Sequence, residues 1–344
     1  MGNEPDSPTG LPRRAFLRAA SLGGLGLAVS GCRFPWTRAP EASAGPDPQR
    51  VWVFSDVHAT YSAAGRAGEE WLEAADADIR AHVKNVSFAV CLGDITHNAA
   101  TDGLAAYAAV RAKSAVGPWF ELAGNQDFAA AARGVYQRHI TTPLRCIIEA
   151  GNTAWFLVSA EGGGSAGFVS AGTVEWLTRH IRARQGAMNI VVCTHQLVQD
   201  TVLHSTVRDR GLHPKARVAG LLKDVRVDLW LCGHAHSEPR TPDCSAVKGR
   251  TTFVNVASLS HAYGTKRSNS AVLETTPGSR AARIRIRHHD AHVYLPGHDV
   301  RFAFPYAVRP GEPSQPITGD RPARAALPAT PSRSARQDPS PRRG

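Results

Sequence analysis

The 344-residue sequence contains no C-x-x-C pair. Its six cysteines, Cys32, Cys91, Cys146, Cys193, Cys232 and Cys244, therefore give no support to a zinc ribbon or a thioredoxin-type redox site. Cys91, Cys193 and Cys232 each lie in or just after an apolar run, where a thiol is expected to be buried and inert. A disulfide involving Cys146 or Cys244 stays open at this point. No internal repeat is found. The apolar stretch from Leu22 to Val29 is far shorter than the ~20 residues of a membrane-spanning helix. No stripe of Lys and Arg with interleaved aromatics occurs, so the formal charge of +11 does not by itself point to nucleic acid. Part of that charge lies in the ends: beyond residue 308, seven Arg stand against Glu312, Asp320 and Asp338. The modest positive field left on the middle would help recruit anionic ligands. Apolar residues make up 42% and charged residues 20% of the chain, the balance of a soluble globular protein with a proper core.

The first residues read as an address. Residues 12–18 are Pro-Arg-Arg-Ala-Phe-Leu-Arg, followed by the short apolar stretch and then Val29-Ser30-Gly31-Cys32. A charged start, a short apolar centre and small residues at the end make a secretory signal. Arg13 and Arg14 followed by Phe16 and Leu17 resemble a twin-arginine export signal. The small residues before Cys32 resemble a bacterial lipobox. That resemblance implies lipidation at Cys32 and an anchor on the outer face of the bacterial cytoplasmic membrane. The expected organisation is an export signal over 1–32, a Pro- and Ala-rich linker over 33–49, one domain over 50–308, and a disordered Pro/Arg-rich tail over 309–344.

Within the domain, short apolar runs alternate with helical periodicity. Val51 to Phe54, Ser87 to Leu92, Trp119 to Ala123, Trp155 to Val158, Ile190 to Cys193, Val227 to Leu231 and Phe253 to Val256 are expected strands. Helices are expected over Gly68 to Lys84, Gly103 to Val116 and Thr173 to Arg184. Ala271 to Glu274 and Arg283 to Arg287 read as late strands, the second alternating Arg and Ile with one solvated face. Such alternation implies an α/β layered fold, in which ligands bind beyond the carboxyl ends of the strands.

Polar clusters stand at those strand ends: Asp56-Val57-His58, Gly93-Asp94, Gly124-Asn125-Gln126-Asp127, Thr194-His195 and Gly233-His234-Ala235-His236. Carboxylate, imidazole and amide oxygen together suit divalent transition metals of borderline hardness such as Mn, Fe or Zn. A pair of such ions ~3.5–4 Å apart needs a bridging ligand, which a carboxylate supplies naturally. Each element alone is weak, but five in this order are specific.

The set resembles the calcineurin-like metallophosphoesterase family over about Arg50 to His261. The resemblance implies a four-layer sandwich of two mixed β-sheets flanked by helices, with a two-metal site at one edge. It also implies hydrolysis of phosphomonoesters or phosphodiesters by a metal-held hydroxide. Carried over by motif, Asp56, His58 and His236 would hold the first metal, Asp94 would bridge, and Asn125, His195 and His234 would hold the second. The family commonly reads Gly-Asn-His where this chain has Gln126, and that His is often the general acid. The purple acid phosphatase branch has a Tyr where this chain has His97, so its iron-tyrosinate site is not supported. His97, close to Asp94, is a candidate proton donor, a further ligand for the first metal or a support for its ligands; His204 is a candidate substrate contact or proton donor; and Asp127 is expected to cap the helix that follows it. Gln126 also admits another reading, a surface lipoprotein that keeps its metals but mainly binds a phosphorylated ligand.

Overall fold

Val51 and Val53 project from one face of the first strand and Trp52 and Phe54 from the other, and all four are buried. Side chains alternate across a strand, so both faces must be covered. The computed structural model describes residues 46–318 apart from 160 and 163. Arg13, Arg14, Cys32 and residues 319–344 lie outside the described residues.

The main strands are β1 (Gln49–Phe54), β2 (Val86–Cys91), β3 (Trp119–Glu121), β4 (Arg145–Ala150), β5 (Thr153–Val158), β6 (Asn189–Thr194), β7 (Leu229–Cys232), β8 (Ser245–Lys248), β9 (Thr251–Asn255), β10 (Asn269–Thr275), β11 (Ala281–His288), β12 (Val293–Tyr294) and β13 (Val300–Ala303). The helices are α1 (Gly68–His82), α2 (Thr101–Lys113), α3 (Phe128–Ala132), α4 (Tyr136–His139), α5 (Ala171–Arg182) and α6 (Lys215–Asp224). One sheet runs β12-β11-β10-β1-β2-β3, with β13 also paired to β11; the other runs β8-β9-β7-β6-β5-β4. Both are mixed. β1, β2 and β3 are parallel, as are β9, β7, β6 and β5, while the outer strands pair antiparallel.

Val51, Val90, Leu157, Val191 and Leu231 belong to one apolar cluster between the sheets. On the outer face of the first sheet, Trp52 and Phe54 pack with Leu72 and Ile79 of α1 and with Leu104 and Tyr107 of α2. On the outer face of the second, Phe156 and Trp230 pack with Trp176 and Leu177 of α5 and Leu221 of α6. The chain is thus the four-layer α/β sandwich expected. Local chemistry sets the helix ends: the Glu70 carboxylate accepts the N–H of Ala67 at 2.6 Å before α1, and Ser170 Oγ accepts the N–H of Thr173 at 3.1 Å to cap α5.

Two expectations are corrected, and one open question is answered for the described residues. Residues 309–318 are ordered on the edge of β4: Ile147 and Ile317 exchange backbone hydrogen bonds of 2.9 and 2.8 Å, and the Ser314 N–H donates to Glu149 O at 2.8 Å. A β-edge supplies unpaired backbone groups to any extended segment, which composition does not reveal. The Arg face of β11 is not simply solvated: Arg283 and Arg285 face Glu274, and Arg287 is buried against Asp78. Among the described residues, Cys146 and Cys244 are both free thiols. Cys91, Cys193 and Cys232 are buried, and burial pushes their thiols up, so they are inert at neutral pH.

Candidate metal centre

The loops after β1, β2, β3, β6 and β7 meet at one edge of the sandwich. Backbone bonds stitch them together. The Asp56 N–H donates to Gly93 O at 3.0 Å, the His58 N–H to Asp94 O at 2.9 Å, and the Gly233 N–H to His195 O at 2.9 Å. Two glycines permit the approach. A Cβ on Gly124 would strike the Asp94 carboxylate, and one on Gly233 would strike Ser55 Oγ. Asn255 on β9 donates its amide to Gly233 O at 2.5 Å and so fixes the His234–His236 turn.

The side chains form two groups, Asp56 with His58 and His236, and Asp94 with His195 and His234; within each, the ligand atoms lie within 4.8 Å of one another. Nε2 of His236 is 3.1 Å from both Asp56 Oδ1 and Nε2 of His58, and Nε2 of His195 is 3.1 Å from Asp94 Oδ2. Asp94 Oδ2 is also 3.8 Å from Nε2 of His58, so this carboxylate stands between the groups. Among the described residues, Asp56 Oδ1, His195 Nε2 and Asn125 Oδ1 are buried and make no well-aligned hydrogen bond, although His236 and Asp94 approach the first two to 3.1 Å as ionic neighbours. Buried polar atoms are normally satisfied, and such a converging set is what a cation completes.

The outer nitrogens orient the rings. His195 Nδ1 faces Leu92 O at 2.8 Å, His234 Nε2 faces Asp209 O at 3.3 Å, and His236 Nδ1 faces Ala262 O at 3.3 Å. An N–H donated outward leaves the other nitrogen's lone pair directed inward, the arrangement of metal-bound histidine. Five of the seven positions, Asp56, His58, Asp94, His234 and His236, have φ between +49° and +67°. Left-handed backbone at non-glycine residues costs about 1–3 kcal/mol each and collects at functional sites.

Burial would raise Asp56 and Asp94, but the histidines prevail, His236 foremost for Asp56 and His195 for Asp94. Both carboxyls are held below their ordinary value. Burial would lower His195, yet Asp94 holds it up at about 9. Burial takes His58 down to about 4 and, with the charge of His195, His234 to about 4. The carboxylates are therefore ionised at neutral pH, and a divalent cation competes with protons for the same lone pairs. Oxygen and nitrogen donors of this mixture fit borderline divalent ions.

The remaining expected residues divide. Asn125 lies on the loop carrying Gly124 and contributes its unpartnered Oδ1. His97 joins the rim, its ring centroid 5.7 Å from that of His58. Gln126 is there too: its N–H donates to Asp94 Oδ1 at 2.8 Å, and its side-chain Oε1 accepts from the Asn98 N–H at 3.0 Å. His204 is exposed on the loop leading to Arg210, and among the described residues no hydrogen bond joins it to the centre. Asp127 does not cap α3 with its side chain. Its carboxylate accepts from the N–H groups of Ile95, Thr96 and Gly124 at 2.9–3.0 Å, which locks the Asp94 loop to the Asn125 loop.

Sequence reasoning missed Tyr263, Ser258 and Ser260. Ser260 Oγ donates to Asp56 O at 3.0 Å, and Ser258 Oγ lies 3.1 Å from the same oxygen. The Tyr263 ring stands 5.2 Å from His58 and 5.4 Å from His236 by centroids. Their only signal was position: Ser258 and Ser260 fall just after the expected strand Phe253 to Val256, inside the span of the family resemblance, and Tyr263 just beyond it.

A layered α/β sandwich with a cation-type donor set at its strand ends defines a metal-dependent phosphoesterase scaffold. The chain belongs to the calcineurin-like phosphoesterase family, whose model matches residues 49–238. Among solved structures, it resembles purple acid phosphatase PPD1 from yellow lupin (Lupinus luteus) seeds at 11% identity and a TM-score of 0.54. That match covers 75% of this chain and 54% of the lupin chain, so this chain spans about half of that relative. Vps29 of Chaetomium thermophilum matches at 14% identity and a TM-score of 0.38, covering 75% of this chain and 100% of its own. Zn²⁺-complexed Vps29 of Entamoeba histolytica matches at 13% identity and a TM-score of 0.37, over 74% and 99%. At these identities the likeness to the lupin enzyme speaks for the fold. No curated protein matches the sequence.

Proposed function

We propose that the chain hydrolyses phosphate esters at a two-ion centre. Asp56, His58 and His236 hold one divalent transition-metal ion, Asn125, His195 and His234 hold the other, and Asp94 lies between them. The observation that carries this reading is the convergence, on two adjacent groups, of buried carboxylate, imidazole and amide donors that lack well-aligned hydrogen bonds. Ions held there would lower the pKa of water and neutralise charge on the phosphoryl group. The chain's own part is to hold the donors in a strained, prepaid geometry and to orient the imidazoles through Leu92 O, Asp209 O and Ala262 O. His97 and Gln126 face the same edge and are placed to meet the ester.

The test is hydrolysis of 4-nitrophenyl phosphate and bis(4-nitrophenyl) phosphate with Mn²⁺ added, which also separates monoester from diester use. Turnover that Asp94→Ala removes is expected. A protein that binds its metals and phosphate yet turns over neither substrate has instead the second reading, that of a binding lipoprotein, which Gln126 favours. We further propose export through Arg13-Arg14 and lipid anchoring at Cys32. Arg13/Arg14→Lys/Lys is expected to leave precursor inside the cell. An unmodified Cys32 in membrane-bound protein, seen by mass spectrometry, would sink the anchor.

A further inference from the structure

We propose that Tyr263 is a stacking platform for a flat aromatic group in the organic part of the ester, which makes phosphate esters that carry a planar aromatic ring the substrate class; this rests on the phosphoesterase reading above. Tyr263 is a large ring left 56% exposed at the rim of a site whose other groups are buried or half-buried. Its φ is +52°, a conformation that a bulky residue adopts only under constraint. The constraint is visible on both sides of it. His261 stacks on Trp71 with centroids 3.9 Å apart and planes at 12°, and its Nε2 faces Asp290 at 3.7 Å. Ala262 O receives His236 Nδ1 at 3.3 Å. The turn that carries Tyr263 is thus braced against α1 and against a metal-binding imidazole.

The ring itself is aimed as well as held. Its hydroxyl sits between Gln126 Nε2 and His97 Nδ1, 3.4 Å from each. Tyr61 stacks beside it at 5.5 Å and 21°, and His97 packs on Tyr61 at 4.6 Å. Tyr61, Tyr263 and His97 therefore form an aromatic wall next to the Asp56 group. A phosphoryl group at the donor set places its ester substituent along that wall. An exposed, preorganised ring binds a planar partner with little conformational cost, and its face is indifferent to the hydrogen-bonding edge of that partner. Gln126 fits this role: an amide steadies the tyrosine hydroxyl without a charge of its own.

Calorimetric titration of the Mn²⁺-loaded protein tests the proposal without relying on turnover. Two matched pairs are used: phenylphosphonate against propylphosphonate, and adenosine 5′-phosphorothioate against ribose 5-phosphorothioate. The ring-bearing member of at least one pair is expected to bind about 2- to 13-fold more tightly, the scale of an aromatic pair. An advantage in the phenyl pair places the ring directly beside the phosphoryl group; one confined to the nucleotide pair places it beyond the sugar. Tyr263→Ala is expected to erase the advantage while leaving propylphosphonate affinity in place, and Tyr263→Phe to keep it. Equal affinity within both pairs, or an advantage that survives Tyr263→Ala, overturns the platform while leaving the phosphoesterase reading intact. Failure of inorganic phosphate and of all four probes to bind overturns both.

Discussion

Two carboxylate–histidine clusters lie in this fold, made of the same residue types, and they are built to opposite ends. Around Asp78 of α1, every oxygen is satisfied. Arg287 donates to both oxygens at 2.8 and 2.6 Å, His289 Nδ1 lies 2.8 Å from Oδ2, and His292 and His82 Nδ1 lie 2.7 and 2.9 Å from Oδ1. The network continues through Ser270 Oγ, which is 2.8 Å from His289 Nε2 and accepts from Trp52 Nε1 at 2.9 Å. At the strand edge, by contrast, Asp56 Oδ1, His195 Nε2 and Asn125 Oδ1 make no well-aligned hydrogen bond among the described residues, the first two having only ionic neighbours at 3.1 Å, and the backbone at five of the seven expected donor positions is left-handed. A saturated carboxylate is a clamp, here tying α1 to the turn after β11. An unsaturated set pays in strain and desolvation for a ligand that the protein chain does not itself provide. Proximity of Asp and His thus does not by itself mark a candidate metal centre, since Asp78, His82 and His292 also lie together; the lack of well-aligned hydrogen bonds is what sets the strand-edge groups apart.

Breaking each cluster should produce different losses. Asp94→Ala is expected to lower hydrolysis by about 10³-fold or more, the scale of several kcal/mol of lost charge stabilisation, and to lose at least one metal by elemental analysis. Full metal content and rate in that variant would mean the site is misassigned. Asp78→Ala should do the reverse. Stranding buried Arg287 costs about 3–5 kcal/mol, measurable by urea unfolding, while the folded fraction keeps its metals and its rate. Asp127→Ala falls between the two: it leaves the buried N–H groups of Ile95, Thr96 and Gly124 unmatched. An unfolding loss of about 1–3 kcal/mol is expected, together with weaker metal retention on dialysis.

Gln126→His is a smaller and sharper probe. A neutral amide cannot supply a proton near neutral pH, and general acid help is typically worth ~10²–10⁴-fold. The wild type is therefore expected to favour activated aryl esters strongly over alkyl esters. The variant should gain about tenfold or more on alkyl esters alone. A shallow leaving-group dependence in the wild type that neither His97→Ala nor His204→Ala alters would show that the missing-acid argument is wrong. The smallest effect is one of pH. Burial, against the pull of Asp78, holds His289 below its ordinary value. A depressed histidine contributes stability that is complete above about pH 6.5 and is lost as pH falls through its folded value. His289→Gln should flatten the decline in unfolding free energy below about pH 6.5; an unchanged slope would assign that decline elsewhere.

Much of this was legible in the sequence, and the misses share a cause. The strands around Trp52, Val90, Val192 and Trp230 stood out because a run buried on both faces must be apolar throughout. β4 and α6 did not: Arg145 and Glu149 break up the apolar run of β4, and α6 buries only Val218 and Leu221. Asp127 read as a helix cap because a local pattern shows the residues after it. Two of its three partners, Ile95 and Thr96, lie 32 and 31 residues upstream. The segment to residue 318 read as disordered because its order comes from the edge of β4 and not from its own composition.

The sequence by itself determined the family and the layered α/β class, and it singled out the residues proposed as donors. Metal chemistry admits few residue types, and short turns at strand ends keep each donor next to its own strand. Tertiary structure alone decided what surrounds those donors. It set the outward partners that turn the imidazoles, the Asp127 lock between two loops, the contrast between Asp78 and Asp94, and the placing of Tyr263 over the site. These depend on contacts between residues tens to hundreds of positions apart, made only when the two sheets close on their common core. No local pattern of residues carries that information.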